Sequence, residues 1–230
     1  MTSEEFIPGV ESHETLNPLL WDEHEHLRPE VRKGLMRMAH EFFDFLEIPV
    51  SIIDIIVTGS QANYHYTPHS DLDLHVIVPY GDVKCDQSVD ELFNTKRKLW
   101  KLQHTIAVHG IPVECYAEDE KTPVKGSAYS VIHNEWIRRA TKQDEELPSD
   151  VERSASAWTR VITAAIKARS PEQLELIKEM LFKYRKLGLA QSGEFNRANV
   201  VFKMLRNSGV IADLMEAIRV FQDKDLSVQD

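Results

Sequence analysis

The chain has two cysteines in 230 residues, Cys85 and Cys115, and no CxxC pair. That scarcity excludes a disulfide framework and a cysteine-based zinc site, and it fits a reducing cytoplasm. No run of about 18 apolar residues occurs, so a membrane-spanning helix is not expected. The first residues, MTSEEFIPGVES, are acidic and carry no apolar stretch behind a basic start, so a secretory signal is not expected either. Internal repeats and low-complexity tracts are missing. Positive charge is also short, with 27 Lys and Arg against 37 Asp and Glu, a net −10. The shortfall is concentrated: residues 1–124 hold 10 Lys and Arg against 22 Asp and Glu, whereas residues 125–230 hold 17 against 15. An acidic first half repels polyanions unless divalent cations intervene. Extended DNA binding is therefore not expected, and long RNA is disfavoured over a single RNA end.

What remains, 42% hydrophobic and 28% charged residues, is the composition of a globular protein large enough for a catalytic domain with a helical appendage. Residues 1–15 read as a polar, poorly ordered leader, and Leu16, Leu19, Leu20 and Trp21 are apolar enough to dock residues 1–27 on the core. A domain over 28–140 opens with a helix at Arg28–Leu46, carrying Val31, Leu35, Met38, Phe42 and Phe43 on one stripe and Pro29 in its first turn. Pro49–Thr58 reads as a buried strand. Asp71–Val78 is a second strand. An amphipathic helix is expected between Ser88 and His109, ended by Gly110 in the C′ position. Ile111–Ala117 is a third strand, and residues 126–139 offer an edge strand. Residues 149–225 then turn helical throughout: Val151–Arg169, a helix from Ser170 that stops at Gly188, then Glu194–Asn207 and Val210–Gln222. The fold class that follows is α+β, a small mixed sheet with flanking helices plus a C-terminal helical bundle.

The chemistry-bearing stretch is GSQANYHYTPHSDLDLHVIV, residues 59–78. A buried strand delivers Gly59 and Ser60 to a turn, where glycine lets backbone approach phosphate oxygens and the serine hydroxyl adds a donor. Strand alternation then puts Asp71, Asp73 and His75 on one face and Leu72, Leu74 and Val76 on the other. Carboxylates about 7 Å apart along one strand face repel each other unless a cation neutralises them, and magnesium suits such oxygen donors. Glu114, an acid inside the otherwise apolar IPVECYA, is the candidate third ligand. Each element alone has a plain reading: GS is a turn, DxD often lies on a solvated face, and a single Glu is usually at the surface. The ordered combination of strand, GS, ten residues, DxD strand and a later acidic strand is far more specific.

That combination resembles the signature of the DNA polymerase β-like nucleotidyltransferase superfamily, hG[GS] followed by [DE]h[DE]h and a third strand-borne acid. Gly59-Ser60, Asp71-Leu72-Asp73-Leu74 and Glu114 match it in turn. LNPLLWD, SVIHNEWI and the run Gly193, Glu194, Asn199, Phe202, Lys203, Leu205, Arg206 further resemble the nucleotidyltransferases of tailed-bacteriophage genomes. The resemblance implies a polymerase β-like core, with Asp71, Asp73 and Glu114 as catalytic, metal-holding residues for two Mg2+ ions (Mn2+ serving as well). It assigns nucleotide contacts to Gly59, Ser60 and Ser70, with Lys203 and Arg206, an i,i+3 pair on one helix face. The implied reaction moves NMP from an NTP to an acceptor hydroxyl with release of pyrophosphate, in the cytoplasm (the host's, if phage-encoded). The acceptor stays open among an RNA 3′ end, a protein and a small molecule. A catalytically silent NTP- or partner-binding module of the same fold is the alternative, and a growth-arresting toxin would share the chemistry.

Other features carry less. His65, His69 and His75 flank the acids, but a hydrogen-bonded histidine is the commoner case, and His24-Glu25-His26 lacks the spacing of a catalytic zinc helix. Tyr64, Tyr66 and Tyr129 offer stacking faces, although packing explains each. Lys178, Lys183, Arg185 and Lys186 fall on or near one helix and are equally a solvated face.

Overall fold

The computed structural model describes residues 12–83, 88–124, 126–142, 150–192 and 195–227. The chain forms two units, one within Glu11–Gln143 and one within Asp144–Asp230. Among the described residues there are six strands in one mixed sheet and six α-helices, an α+β architecture. No described helix is long and apolar enough to cross a membrane.

In the first unit, α1 (Pro29–Leu46) starts where Pro29, lacking an N–H, costs the helix nothing. It buries Val31, Leu35, Ala39, Phe42 and Leu46, a spacing that holds one face toward the sheet. β1 (Asp54–Thr58) is shorter than the apolar run Pro49–Thr58 suggests. β2 (Leu72–Val78) alternates as expected, with Leu72, Leu74 and Val76 fully buried and Asp73 and His75 half-buried on the opposite face. β1 and β2 are antiparallel, with Thr58 opposite Asp73. β4 (Ile111–Asp119) lies parallel to β2 on its other side, with Asp73 opposite Glu114 and His75 opposite Tyr116.

The helix expected over Ser88–His109 is α2 (Val89–Gln103), which ends six residues earlier. His104 is extended, and Ala107–Val108 (β3) folds back on Ile111–Pro112. Gly110 therefore closes a hairpin rather than a helix. His109 and Gly110 both have positive φ, 49° and 83°, the pair of left-handed residues that a two-residue hairpin turn requires. The stretch 126–139 is likewise two strands rather than one: β5 (Ala128–Ser130) is buried against β1, and β6 (Glu135–Arg138) forms the edge. The sheet order is β3-β4-β2-β1-β5-β6.

The described part of the leader packs on the first unit. Residues 1–11 lie outside the described residues, but His13 stacks on Tyr66 with ring centroids 3.9 Å apart, and its backbone N–H donates to the Tyr64 carbonyl at 2.8 Å. Leu16, Leu20, Trp21 and Leu27 are buried in the main core, whereas Leu19 is half exposed. Trp21 is stacked on Trp136 at 4.9 Å and meets Tyr129 edge-on at 5.0 Å. A buried aromatic cluster of this size is worth several kcal/mol in transfer free energy alone, at roughly 25 cal/mol per Å².

The second unit packs α3 (Val151–Ala168), α4 (Pro171–Ser192), α5 (Arg197–Asn207) and α6 (Val210–Leu226) around Ile162, Leu174, Leu181, Val201, Leu205 and Leu214. α4 does not stop at Gly188. The glycine sits in a continuous helix because α5 passes close by: a Cβ at residue 188 would stand 2.2 Å from Asn196 Oδ1 and 2.7 Å from the Ala198 Cβ. α5 starts at Arg197 rather than at Glu194, which lies outside the described residues; Asn196 caps it, its side chain accepting from the Asn199 N–H at 2.9 Å.

Candidate active site

The site is built where β1 ends. Gly59 has φ 74°, a left-handed conformation natural to glycine, and turns the chain into a short 3-10 turn over Ser60–Ala62. The absence of a side chain has a second consequence. A Cβ on residue 59 would lie 2.2 Å from Asp73 Oδ2, so the bare Gly59 backbone is what the Asp73 carboxylate packs on.

Gln61 holds the turn in place. Its Nε2 donates to the Ser70 carbonyl at 2.9 Å, and its Oε1 accepts from Asn17 Nδ2 at 2.9 Å. Trp21 Nε1 donates to the Gln61 carbonyl at 2.8 Å. These groups are buried, where an unmade hydrogen bond costs about 1–3 kcal/mol, so the turn is rigidly specified. Ser70 itself is 6% exposed, and its hydroxyl accepts from the Thr67 N–H at 2.9 Å. The hydroxyl thus organises the loop ahead of Asp71 instead of facing an open surface.

Asp73 and Glu114 are register partners on adjacent parallel strands and share a sheet face with Thr58, His75, Tyr116 and Glu118. Asp71, two residues ahead of Asp73, is half-buried just before β2. Glu114 is turned toward α2: Lys101 donates to its Oε1 and the Tyr116 hydroxyl to its Oε2, the latter at 2.7 Å. Burial raises the Glu114 pKa, but the hydrogen bonds from Lys101 and Tyr116 and the charges of Lys101 and Arg97 outweigh it, so the carboxyl sits below its ordinary value. The Lys101 side chain is 70% exposed and that of Glu114 22%, so this is a solvent-screened pair worth about 0–1 kcal/mol.

Farther along the same face, His75 Nδ1 lies 2.7 Å from Glu118 Oε2, and its ring stacks on Tyr116 at 4.7 Å. Burial holds the His75 pKa below normal, partly offset by the Glu118 carboxylate. The Arg97 guanidinium lies over the Tyr116 ring at 4.7 Å. Burial, the hydrogen bond to Glu114 and the neighbouring Asp73 and Glu114 charges keep the Tyr116 hydroxyl protonated well above its usual range.

The structure therefore brings Gly59, Ser60, Asp71, Asp73 and Glu114 to one end of the sheet. Lys203, half-buried, and Arg206, exposed, lie on α5 of the second unit. Among the described residues no three His, Cys, Asp or Glu side chains stand together as a ready-made metal cluster, because Glu114 is turned to Lys101. The donor set nonetheless fits magnesium in kind: carboxylates on register-paired residues of adjacent strands, with no soft ligand among them. Sequence reasoning missed Arg97, Lys101 and Tyr116. The signals were the four-residue spacing of Arg97 and Lys101, which shares a helix face, and the alternation of Glu114, Tyr116 and Glu118 along β4.

Comparison of the chain with protein-family models, with curated proteins and with solved structures returns no match.

Proposed function

We propose that the chain is a metal-dependent nucleotidyltransferase with a polymerase β-like core, moving a nucleoside monophosphate from an NTP to an acceptor hydroxyl. The observation that carries this reading is the juxtaposition of Gly59, Asp73 and Glu114, a bare backbone turn against two carboxylates in register on neighbouring strands. Such a turn admits phosphate oxygens close to backbone N–H groups. Two carboxylates side by side call for cations, and Lys101 already serves Glu114 as one.

Asp71, Asp73 and Glu114 would hold Mg2+, with Mn2+ as a substitute. Bound there, the metal neutralises phosphate charge and makes an acceptor hydroxyl more acidic. The chain's own residues contribute positioning: Gly59 and Ser60 receive the phosphates, and Gln61 and Ser70 fix the turn and the loop before Asp71. In the transfer the acceptor hydroxyl gives up its proton to solvent, its oxygen bonds to the α-phosphorus, the bond from that phosphorus to the bridging oxygen breaks, and pyrophosphate leaves.

A second reading, an NTP-binding module without turnover, is favoured by the Lys101–Glu114 pair, which keeps the third carboxylate occupied. The test is incubation with each α-labelled NTP, Mg2+ and a cell extract, for wild type and Asp73→Asn. Pyrophosphate release with label in an RNA, protein or small-molecule fraction, lost in the variant, supports the enzyme. NTP binding with no pyrophosphate from any fraction supports the silent module instead.

A further inference from the structure

A cleft of about 290 Å³ opens beside Glu114, between the last turns of α2 and the start of β4. Arg97, Lys98 and Lys101 line it against a single carboxylate, Glu114, with the exposed His104 at its rim. This concentration of positive charge stands in a unit whose sequence is strongly acidic. Arg97 is held by its stacking on Tyr116, and its Nε is buried with no hydrogen-bond partner. A guanidinium fixed by an aromatic face keeps its full charge, whereas one fixed by a carboxylate is neutralised. Its field already reaches Glu114, Tyr116 and His75. Lys98 is exposed, and among the described residues neither it nor Arg97 joins an ion pair. Lys101 is the exception, held on Glu114 by a weak, solvent-screened pair.

We infer that this cleft receives the polyphosphate chain of a nucleotide, with Arg97 and Lys98 as its standing cations and Lys101 as an exchange residue. When a divalent cation takes the Glu114 carboxylate, Lys101 is released and its ammonium turns to the phosphates. One charge thus serves in turn as counter-ion to the acid and as ligand to the substrate. The exchange and the nucleotide as source of the phosphates rest on the proposed function above; the cation-lined cleft itself does not.

The probes are inorganic tripolyphosphate, followed calorimetrically at low salt, and Mn2+, followed by electron paramagnetic resonance. Wild type is expected to bind tripolyphosphate, and Arg97→Gln/Lys98→Gln to bind it about tenfold more weakly or worse. Lys33→Gln on the exposed side of α1 leaves the binding unchanged. Lys101→Met is expected to bind Mn2+ more tightly, having lost the competitor for Glu114, and to bind tripolyphosphate in the presence of Mn2+ more weakly. Circular dichroism confirms that each variant is folded.

The cleft is overturned if Arg97→Gln/Lys98→Gln binds tripolyphosphate like wild type, or if Lys33→Gln weakens it equally. Displacement of tripolyphosphate by a short oligonucleotide lacking a triphosphate, at equal or lower concentration, overturns the nucleotide as the source. Unchanged Mn2+ affinity in Lys101→Met overturns the exchange. A wild type that takes no Mn2+ but loses tripolyphosphate with Arg97 and Lys98 upholds the cleft, overturns the exchange and removes the metal-dependent enzyme. Mn2+ binding abolished by Asp73→Asn, with tripolyphosphate indifferent to Arg97 and Lys98, does the reverse.

Discussion

The Asp73 carboxylate rests directly on the Gly59 backbone, in the space that any other residue's Cβ would fill, with Oδ2 2.2 Å from that position. Two demands meet at this glycine, a left-handed backbone and room for an acid. Gly59→Ala is expected to destabilise the chain by roughly 1–3 kcal/mol through backbone strain and displacement of Asp73. Under the proposed function, pyrophosphate release is expected to fall further than stability, because a shift of about 1 Å in a positioning group costs on the order of a hundredfold. Thermal denaturation and pyrophosphate release measured on the same preparation separate the two effects.

Gln61 is the second support. Gln61→Ala leaves the Asn17 amide and the Ser70 carbonyl without their buried partner, an expected loss of about 1–3 kcal/mol per group. Denaturant unfolding checks it; a change within about 0.5 kcal/mol, the level of a surface substitution, would show that the turn is held by other means.

Gly188 reverses an ordinary rule. Glycine-to-alanine in a helix interior usually stabilises by about 0.5–1 kcal/mol. Here the added methyl meets the Asn196 oxygen that caps α5, so Gly188→Ala is expected to destabilise by roughly 1–3 kcal/mol. The change in denaturation midpoint gives the sign directly.

The pH dependence of Glu114 follows from its lowered pKa. The folded state binds fewer protons there than the unfolded chain, so the carboxylate adds stability above its unfolded value of 4.5 and loses it as pH falls through the lower folded value. The stability difference between wild type and Glu114→Gln is therefore expected to favour wild type at pH 7 and to shrink steadily below pH 4.5. Melting curves at a series of pH values for both proteins check this, and a difference that grows on acidification would contradict it.

The face that Asp73 takes was readable in the sequence because a strand's two-residue period assigns faces without knowledge of the neighbours, whereas Asp71 stands one residue before β2 begins. Glu114 was readable as an odd acid, but its place opposite Asp73 depends on the register between two strands whose partners lie 41 residues apart, which no local pattern encodes. Gly110 and Gly188 were misread for a related reason. A glycine marks an unusual backbone angle or a close approach, and only the surroundings say which: Gly110 shares its turn with a left-handed His109, and Gly188 faces another helix. Arg97 and Lys101 were not singled out in the sequence, because only the packing of α2 beside β4 gives them Tyr116 and Glu114 as partners. Ser70 matched its expected position next to the acids, yet its hydroxyl serves the loop.

Trp21 ties residues of very different chain position into one knot: its indole N–H holds the Gln61 carbonyl and its ring is covered by Tyr129 and Trp136. During synthesis the N-terminal side of that knot leaves the ribosome long before the strands that cover it. The cover over the Trp21 ring, unlike the turn's own hydrogen bonds to Asn17, Trp21 and Ser70, thus waits until Tyr129 and Trp136 have been made. Its formation belongs to the late, high-contact-order phase of folding, when a nascent chain is most exposed to aggregation and most dependent on chaperones.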